Sequence, residues 1–149
     1  MRALLDTSVL VAALVRSHPA HPRCLPWLGR ALAGELELVL AAHSLAELHA
    51  ILTSLPVKPR ISPRTARALA EENRLRPRPI GIAEVIALDV EDYLVVLGAA
   101  ADRGIAGGAV YHALIARAAE LAEVDELVTL DPEDFRRVWA SGVDRVRDP

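Results

Sequence analysis

Arg2-Ala3-Leu4-Leu5-Asp6-Thr7-Ser8-Val9-Leu10 opens the chain with a short apolar run that stops at an acid and two hydroxyls. A run this short, bounded by a polar residue, has the length of a buried strand. Residues 7–16 stay apolar nearly all round, which is the pattern of a buried helix. Asp6 therefore stands where a strand hands over to a helix. The same handover recurs along the chain. An apolar strand at 37–42 precedes a helix at 43–55. A strand at 82–88, interrupted by Glu84, precedes a helix from Asp89 to Arg103. A strand at 126–130 precedes a short helix from Asp131 to Trp139. Further helices are expected at about 20–33, with Gly34 as its stop, and at 62–75, with Ser62 and Pro63 as N-cap and first residue. Another is expected from Gly107-Gly108 to about Val124, and residues 143–146 read as an edge strand. Alternating strands and helices predict a three-layer α/β/α sandwich with a mostly parallel central sheet. Ligands of such sheets sit in the crevice beyond the carboxyl ends of the strands.

The rest of the composition bounds what that fold does. A chain of 149 residues is one domain's worth, and 52% hydrophobic content excludes disorder. The single cysteine, Cys24, excludes an internal disulfide, and a reducing compartment is expected. The longest strictly apolar run, residues 9–15, is far below the roughly 20 residues of a spanning helix, so no membrane contact is expected and cytoplasm is the expected location. The net charge of −3 conceals two surfaces. Residues 58–78 carry +5 and the remainder −8, which sets a basic arm, about 56–79, on an acidic body.

Three acids stand at corresponding places. Asp6 and Asp131 lie at expected strand ends, and Glu47 lies in the first turn of the helix after the second strand. Each also has a purely structural reading. Asp6 and Asp131 suit helix N-caps, and Ser44-Leu45-Ala46-Glu47 has the pattern of a capping box. Taken together, the acids would converge on one crevice. Clustered carboxylates repel, and a divalent cation offsets the repulsion. An all-oxygen ligand set suits Mg2+ or Mn2+. Such a site serves phosphodiester hydrolysis, in which the metal orients and acidifies water.

Four stretches carry a family resemblance. Residues 4–10 (Leu-Leu-Asp-Thr-Ser-Val-Leu) resemble the opening of PIN-domain ribonucleases, particularly the VapC toxins of bacterial and archaeal toxin–antitoxin pairs. Residues 44–48 resemble that family's second acidic motif, residues 107–116 its third, and residues 127–135 its last. The resemblance spans essentially the whole chain, in order and in spacing. It implies one PIN-like domain over 1–149, acting as a metal-dependent endoribonuclease neutralised by a small antitoxin. It also implies a homodimer. Asp6 and Glu47 would be metal ligands, joined by Asp131 where the family places Asn or Asp. Thr7, Ser8 and Thr129 would orient them through hydroxyls. Catalysis of a different kind, with Asp6 as a phosphoryl-accepting nucleophile of the dehalogenase type, would want a second Asp where Ser8 stands.

His112 departs from the family, which has an acid after the tyrosine of the third motif. Three functional readings stand open. His112 reads as a fourth metal ligand favouring Mn2+, as a phosphate contact or general acid–base, or as the mark of a weakened site that binds RNA or a protein without cutting. A helix histidine with no role is the structural alternative. Gly107-Gly108 read as a phosphate approach or as plain turn chemistry. His43 and His49 read as ordinary helix histidines. His18, His21 and Cys24 share a Pro-rich turn but lack the fourth ligand of a zinc site. On the basic arm, Arg60, Arg64, Arg67 and Arg74 form an expected helical stripe for RNA phosphates or a partner. No aromatic residues interleave it to stack bases.

Overall fold

Strand β1 (Arg2–Leu5) lies at the centre of an all-parallel five-stranded sheet, flanked on one side by β2 (Glu37–Ala41) and then β3 (Ala83–Ile86), and on the other by β4 (Glu126–Val128) and then β5 (Val146–Arg147). The computed structural model describes all 149 residues. After β1 come α1 (Thr7–Leu14), α2 (His21–Leu32), β2 (Glu37–Ala41), α3 (Ala42–Ser54), α4 (Pro63–Glu72) and β3 (Ala83–Ile86). Then follow α5 (Val90–Asp102), α6 (Ala109–Leu121), β4 (Glu126–Val128), α7 (Pro132–Val138), a 3-10 helix (Ala140–Arg145) and β5 (Val146–Arg147). No helix is long and apolar enough to cross a membrane.

The helix ends follow local chemistry. Ser62 Oγ accepts the Thr65 N–H at 3.1 Å and starts α4 ahead of Pro63. Asp89 and Asp92 satisfy each other's backbone N–H groups as a capping box at the head of α5. Gly34 (φ 76°) lies just beyond α2 in the left-handed conformation that glycine adopts without cost.

Side chains alternate across the sheet, and both faces are covered. Ala3, Leu5, Leu38, Leu40 and Val128 point into a core shared with α1–α4. Leu4, Val39, Ala41, Leu127 and Val146 point into a second core under α6 and α7. Helix α5 packs outside α6. Two-sided burial explains why the strands read as continuous apolar runs rather than alternating ones. The expected three-layer α/β/α sandwich is the observed fold. Its strand order reverses between β1 and β4. The open crevice at such a reversal lies above the ends of those two strands, next to Asp6 and Thr129.

Two expectations are corrected. Residues 143–146 are not a strand. The chain first turns through the 3-10 helix over Trp139, where a Cβ on Gly142 would fall 2.0 Å from the indole ring. Only Val146 and Arg147 pair with β4. Helix α4 also stops at Glu72 instead of running to 75. Arg74 takes a left-handed φ of 53°, and Leu75 turns inward to bond Ala70 O and bury its side chain. Arg60 precedes this helix and Arg74 follows it. The expected four-arginine stripe is thus reduced on α4 to Arg64 and Arg67.

Phe135 of α7 is completely buried and is among the largest side chains of the second core. Replacing it by Ala should cost about 3–5 kcal/mol, the range for a large aromatic removed from a packed interior. Chemical denaturation should show a lower midpoint at unchanged slope. A loss below about 1 kcal/mol would mean that α7 is not docked as described.

Candidate active site

Asp6 ends β1 and serves as N-cap of α1, with only 3% of its surface exposed. Its Oδ2 accepts the Ser8 hydroxyl at 2.6 Å and the Thr129 hydroxyl at 3.0 Å, with a longer contact to the Ser8 N–H at 3.4 Å. Each hydroxyl also accepts a backbone N–H. Leu130 donates to Ser8 Oγ at 3.1 Å, and Asp131 donates to Thr129 Oγ1 at 3.0 Å. A hydroxyl has one proton. With a lone pair occupied by a backbone N–H, each directs that proton at the carboxylate. Two short relays therefore tie Asp6 to the loop after β4. All three of these contacts to the Asp6 carboxylate are made to Oδ2, and the Thr7 N–H also favours the ionised carboxylate.

Burial is the main influence on the Asp6 carboxyl and pushes its pKa up. The Ser8 and Thr129 hydroxyls and the charge of His112 oppose that rise. The site thus holds a carboxylate that the fold alone stabilises incompletely.

Glu47 comes from α3, where its Oε2 accepts the Thr7 hydroxyl at 2.7 Å. Thr7 is itself buried. The capping-box reading of Ser44 and Glu47 is overturned. Strand β2 passes into α3 without a loop, so Ala41 occupies the N-cap and Ser44 lies inside the helix. Ser44 Oγ is buried with no partner, and Glu47 turns to Thr7 instead.

His112 lies on α6 with its ring tilted against Phe135, 4.8 Å between centroids. Its Nδ1 is buried without a hydrogen bond and lies 4.0 Å from Asp134 Oδ2. The neighbouring Tyr111 stacks on His43 of α3, with centroids 4.9 Å apart and planes 12° apart. Sequence reasoning treated His43 as ordinary and missed this bridge between α3 and α6. The available signal was its spacing, one helical turn before Glu47.

Asp131 takes the N-cap position of α7, but its carboxylate makes no capping bond and is exposed. The residue joins the network through its N–H alone. No three side chains of the His, Cys, Asp and Glu types come close enough to hold one ion. The expected set of Asp6, Glu47, Asp131 and His112 is therefore not assembled as a cage. The hydroxyls draw Asp6 and Glu47 inward, Asp131 stays at the rim, and Phe135 packs the His112 ring.

The donor chemistry nevertheless fits a hard divalent cation. Mg2+ keeps several waters and binds through one or two carboxylates plus substrate phosphate. The hydroxyls engage one oxygen of each acid, Asp6 Oδ2 and Glu47 Oε2, which leaves the second oxygen of each clear of them, and consecutive residues, Asp6 and Thr7, connect the two acids.

Other candidates resolve simply. Gly107 takes φ 60° ahead of α6, a turn requirement. His18 Nδ1 accepts the Ala20 N–H, His21 Nδ1 meets Ala12 O, and Cys24 is buried, so these residues form no zinc site. Arg67 pairs with Glu71 at 2.8 Å, and Arg76 pairs with the same acid. Arg64 is exposed and makes no ion pair.

Residues 3–139 match the family model of the PIN domain. Among solved structures, the chain is similar to VapBC2 from Rickettsia felis bound to a DNA fragment from their promoter. That match has a TM-score of 0.63 and 18% identity, and covers 100% of this chain and 99% of that one. It is also similar to FitAB bound to an IR36 DNA fragment, with a TM-score of 0.64, 20% identity and coverage of 99% and 94%. Likeness at these identities is a likeness of fold. No curated protein matches the chain.

The raised Asp6 pKa gives a signed expectation. In a metal-free buffer the folded chain keeps this proton over a pH window where the unfolded chain has released it. Stability therefore falls as pH rises from the ordinary value of 3.8 through the raised one. Asp6→Asn removes that loss, so its melting temperature should gain on the parent's as pH goes from 3 to 7. A difference that shrinks over that range would contradict the burial account.

Proposed function

The chain belongs to the PIN domain family, and on that premise we propose that it is a metal-dependent endoribonuclease, the toxin of a toxin–antitoxin pair. The observation that carries the reading is the Asp6 carboxylate, buried and oriented by two hydroxyl relays, with Glu47 locked beside it by Thr7. Burial opposes the charge of this carboxylate even as it caps α1, and a buried acid shifted in this way beside a crevice is the kind of group that sites of chemistry use. We assign Asp6 and Glu47 as the metal ligands, with Thr7, Ser8 and Thr129 holding their orientation. A Mg2+ or Mn2+ ion bound there would orient and acidify the attacking water and offset charge on the phosphate.

His112 we assign to the scissile phosphate rather than to the metal. Its Nδ1 is turned inward toward Asp134, which leaves Nε2 as the edge it can present. Asp131, at the rim, is kept outside the ligand pair. The antitoxin partner is supported by the similar VapBC2 and FitAB complexes. The homodimer is supported by one face of α5, where Val90, Leu94 and Leu97 are 75%, 60% and 50% exposed at helical spacing. We read all 149 residues as one domain, supported by the family match over residues 3–139, and with RNA as its substrate we propose a cytoplasmic location. A second reading, a PIN module that binds RNA or protein without cutting, is favoured by the incomplete ligand group and by His112 in place of an acid.

Purified protein incubated with structured and unstructured RNAs plus Mg2+ or Mn2+ separates the two readings. The parent should cleave, and Asp6→Asn should lose at least about a hundredfold in rate, as expected when a metal ligand is removed. Binding without cleavage under every condition would establish the second reading. The basic arm is tested separately. Removing Arg64 and Arg67 together should weaken RNA binding and flatten its dependence on salt by one to two phosphate contacts. An unchanged salt slope would assign these arginines elsewhere.

A further inference from the structure

Beside Asp6 the fold leaves a cavity of about 310 Å3 that the chemistry above does not use. Its walls are apolar, from Val11 of α1, Ile51 and Leu55 on the α3 side, and Leu130 after β4. Ser8 also lines it, and the Ser8 hydroxyl holds Asp6 Oδ2 at 2.6 Å. One side chain thus separates the cavity from the carboxylate.

Two polar side chains complete the lining, His18 and Asp131. His18 Nδ1 accepts the Ala20 N–H at 3.1 Å, which places the proton of the neutral ring on Nε2. That Nε2–H has no partner in the protein. Neither carboxylate oxygen of Asp131 makes a hydrogen bond, while the N–H of the same residue is committed to Thr129. An apolar slot next to the reaction centre is therefore furnished with one N–H donor and one two-oxygen acceptor. An apolar pocket with a few polar groups in its lining is the usual form of a small-ligand site. Apolar walls alone would suit a partner's side chain, but the donor and acceptor beside Asp6 select a base.

We propose that this cavity is a nucleobase pocket that takes a guanine flanking the scissile phosphate and so sets where the chain cuts. The identity of the base follows from hydrogen-bond geometry. Guanine alone presents two adjacent donors, N1–H and N2–H, which both Asp131 oxygens accept, and its neighbouring O6 receives the His18 Nε2–H. On adenine, cytosine and uracil a ring or carbonyl acceptor stands beside the single donor and repels the second carboxylate oxygen. The proposal rests on the ribonuclease reading only for RNA being the polymer.

Fluorescence anisotropy in EDTA tests it without cleavage. The probes are four labelled heptanucleotides of uridine with G, A, C or U at the centre. The parent should bind the guanine probe about tenfold tighter than the others, the scale of one good bidentate base contact. Asp131→Asn puts an amide donor against a base donor and should abolish the preference. His18→Phe keeps the apolar wall and should reduce it. Asp131 is exposed and His18 is half-buried with Nδ1 on the Ala20 N–H, so the melting temperature of each variant is measured beside its binding to establish that it is folded. Equal binding of all four probes overturns the proposal and leaves the cavity to a protein side chain. A preference that survives Asp131→Asn also overturns it. Guanine-selective binding by a chain that cuts no RNA would sink the ribonuclease reading while the pocket stands.

Discussion

The site hangs on one buried carboxylate whose second oxygen is held by two hydroxyls. Ser8 and Thr129 come from opposite ends of the chain, and each is clamped in turn by a backbone N–H of the loop after β4. This arrangement joins α1, β4 and the start of α7 at a single atom, Asp6 Oδ2. It also sets the direction of the Asp6 side chain, because neither hydroxyl has a free rotamer that keeps both of its bonds. Burial works against the charge while the hydroxyls work for it.

The sheet explains why this point is the place for chemistry. Both faces of β1 are covered, so the strand is rigid and its end is the first polar opportunity along it. The strand order reverses beside β1, so the helices after β1 and β4 diverge to opposite faces and leave a crevice. Glu47 reaches that crevice because β2 runs into α3 without a loop. His112 reaches it because α6 packs against α7 through Phe135. Parallel strands deliver all their carboxyl ends to the same edge, which gathers residues more than a hundred positions apart.

Charge is divided between the crevice and the arm. Acids stand at the former, and the segment of net +5 packs its helix α4 against α3. Much of that positive charge is already engaged locally, since Glu71 takes both Arg67 and Arg76. Exposed pairs of this kind contribute little to stability and exchange partners readily. The same side chains therefore remain available to a polyanion, at the cost of releasing an acid.

Apolar runs of strand length, each ending in an acid or a cap, are local patterns, and they are enough for the element order, the parallel sandwich and the candidacy of Asp6, Glu47 and Asp131, whereas Thr129 enters only through the family resemblance. Resemblance in four ordered stretches points to the PIN family independently of any tertiary contact. The sequence misled where two local explanations competed. Ser44 has the pattern of a cap but lies inside α3, Asp131 occupies a cap position without capping, and residues 143–146 begin and end in Val like an edge strand, yet only Val146 reaches one after the 3-10 turn over Trp139. The arginine stripe failed for the same reason, because Leu75 gained more by burial than α4 gained from another turn. Which oxygen of Asp6 is occupied, which ring stacks on which, and which acids stay apart depend on contacts across more than a hundred residues. Periodicity along a chain specifies what each element buries, but only the packed sheet brings Ser8 and Thr129 to the same oxygen.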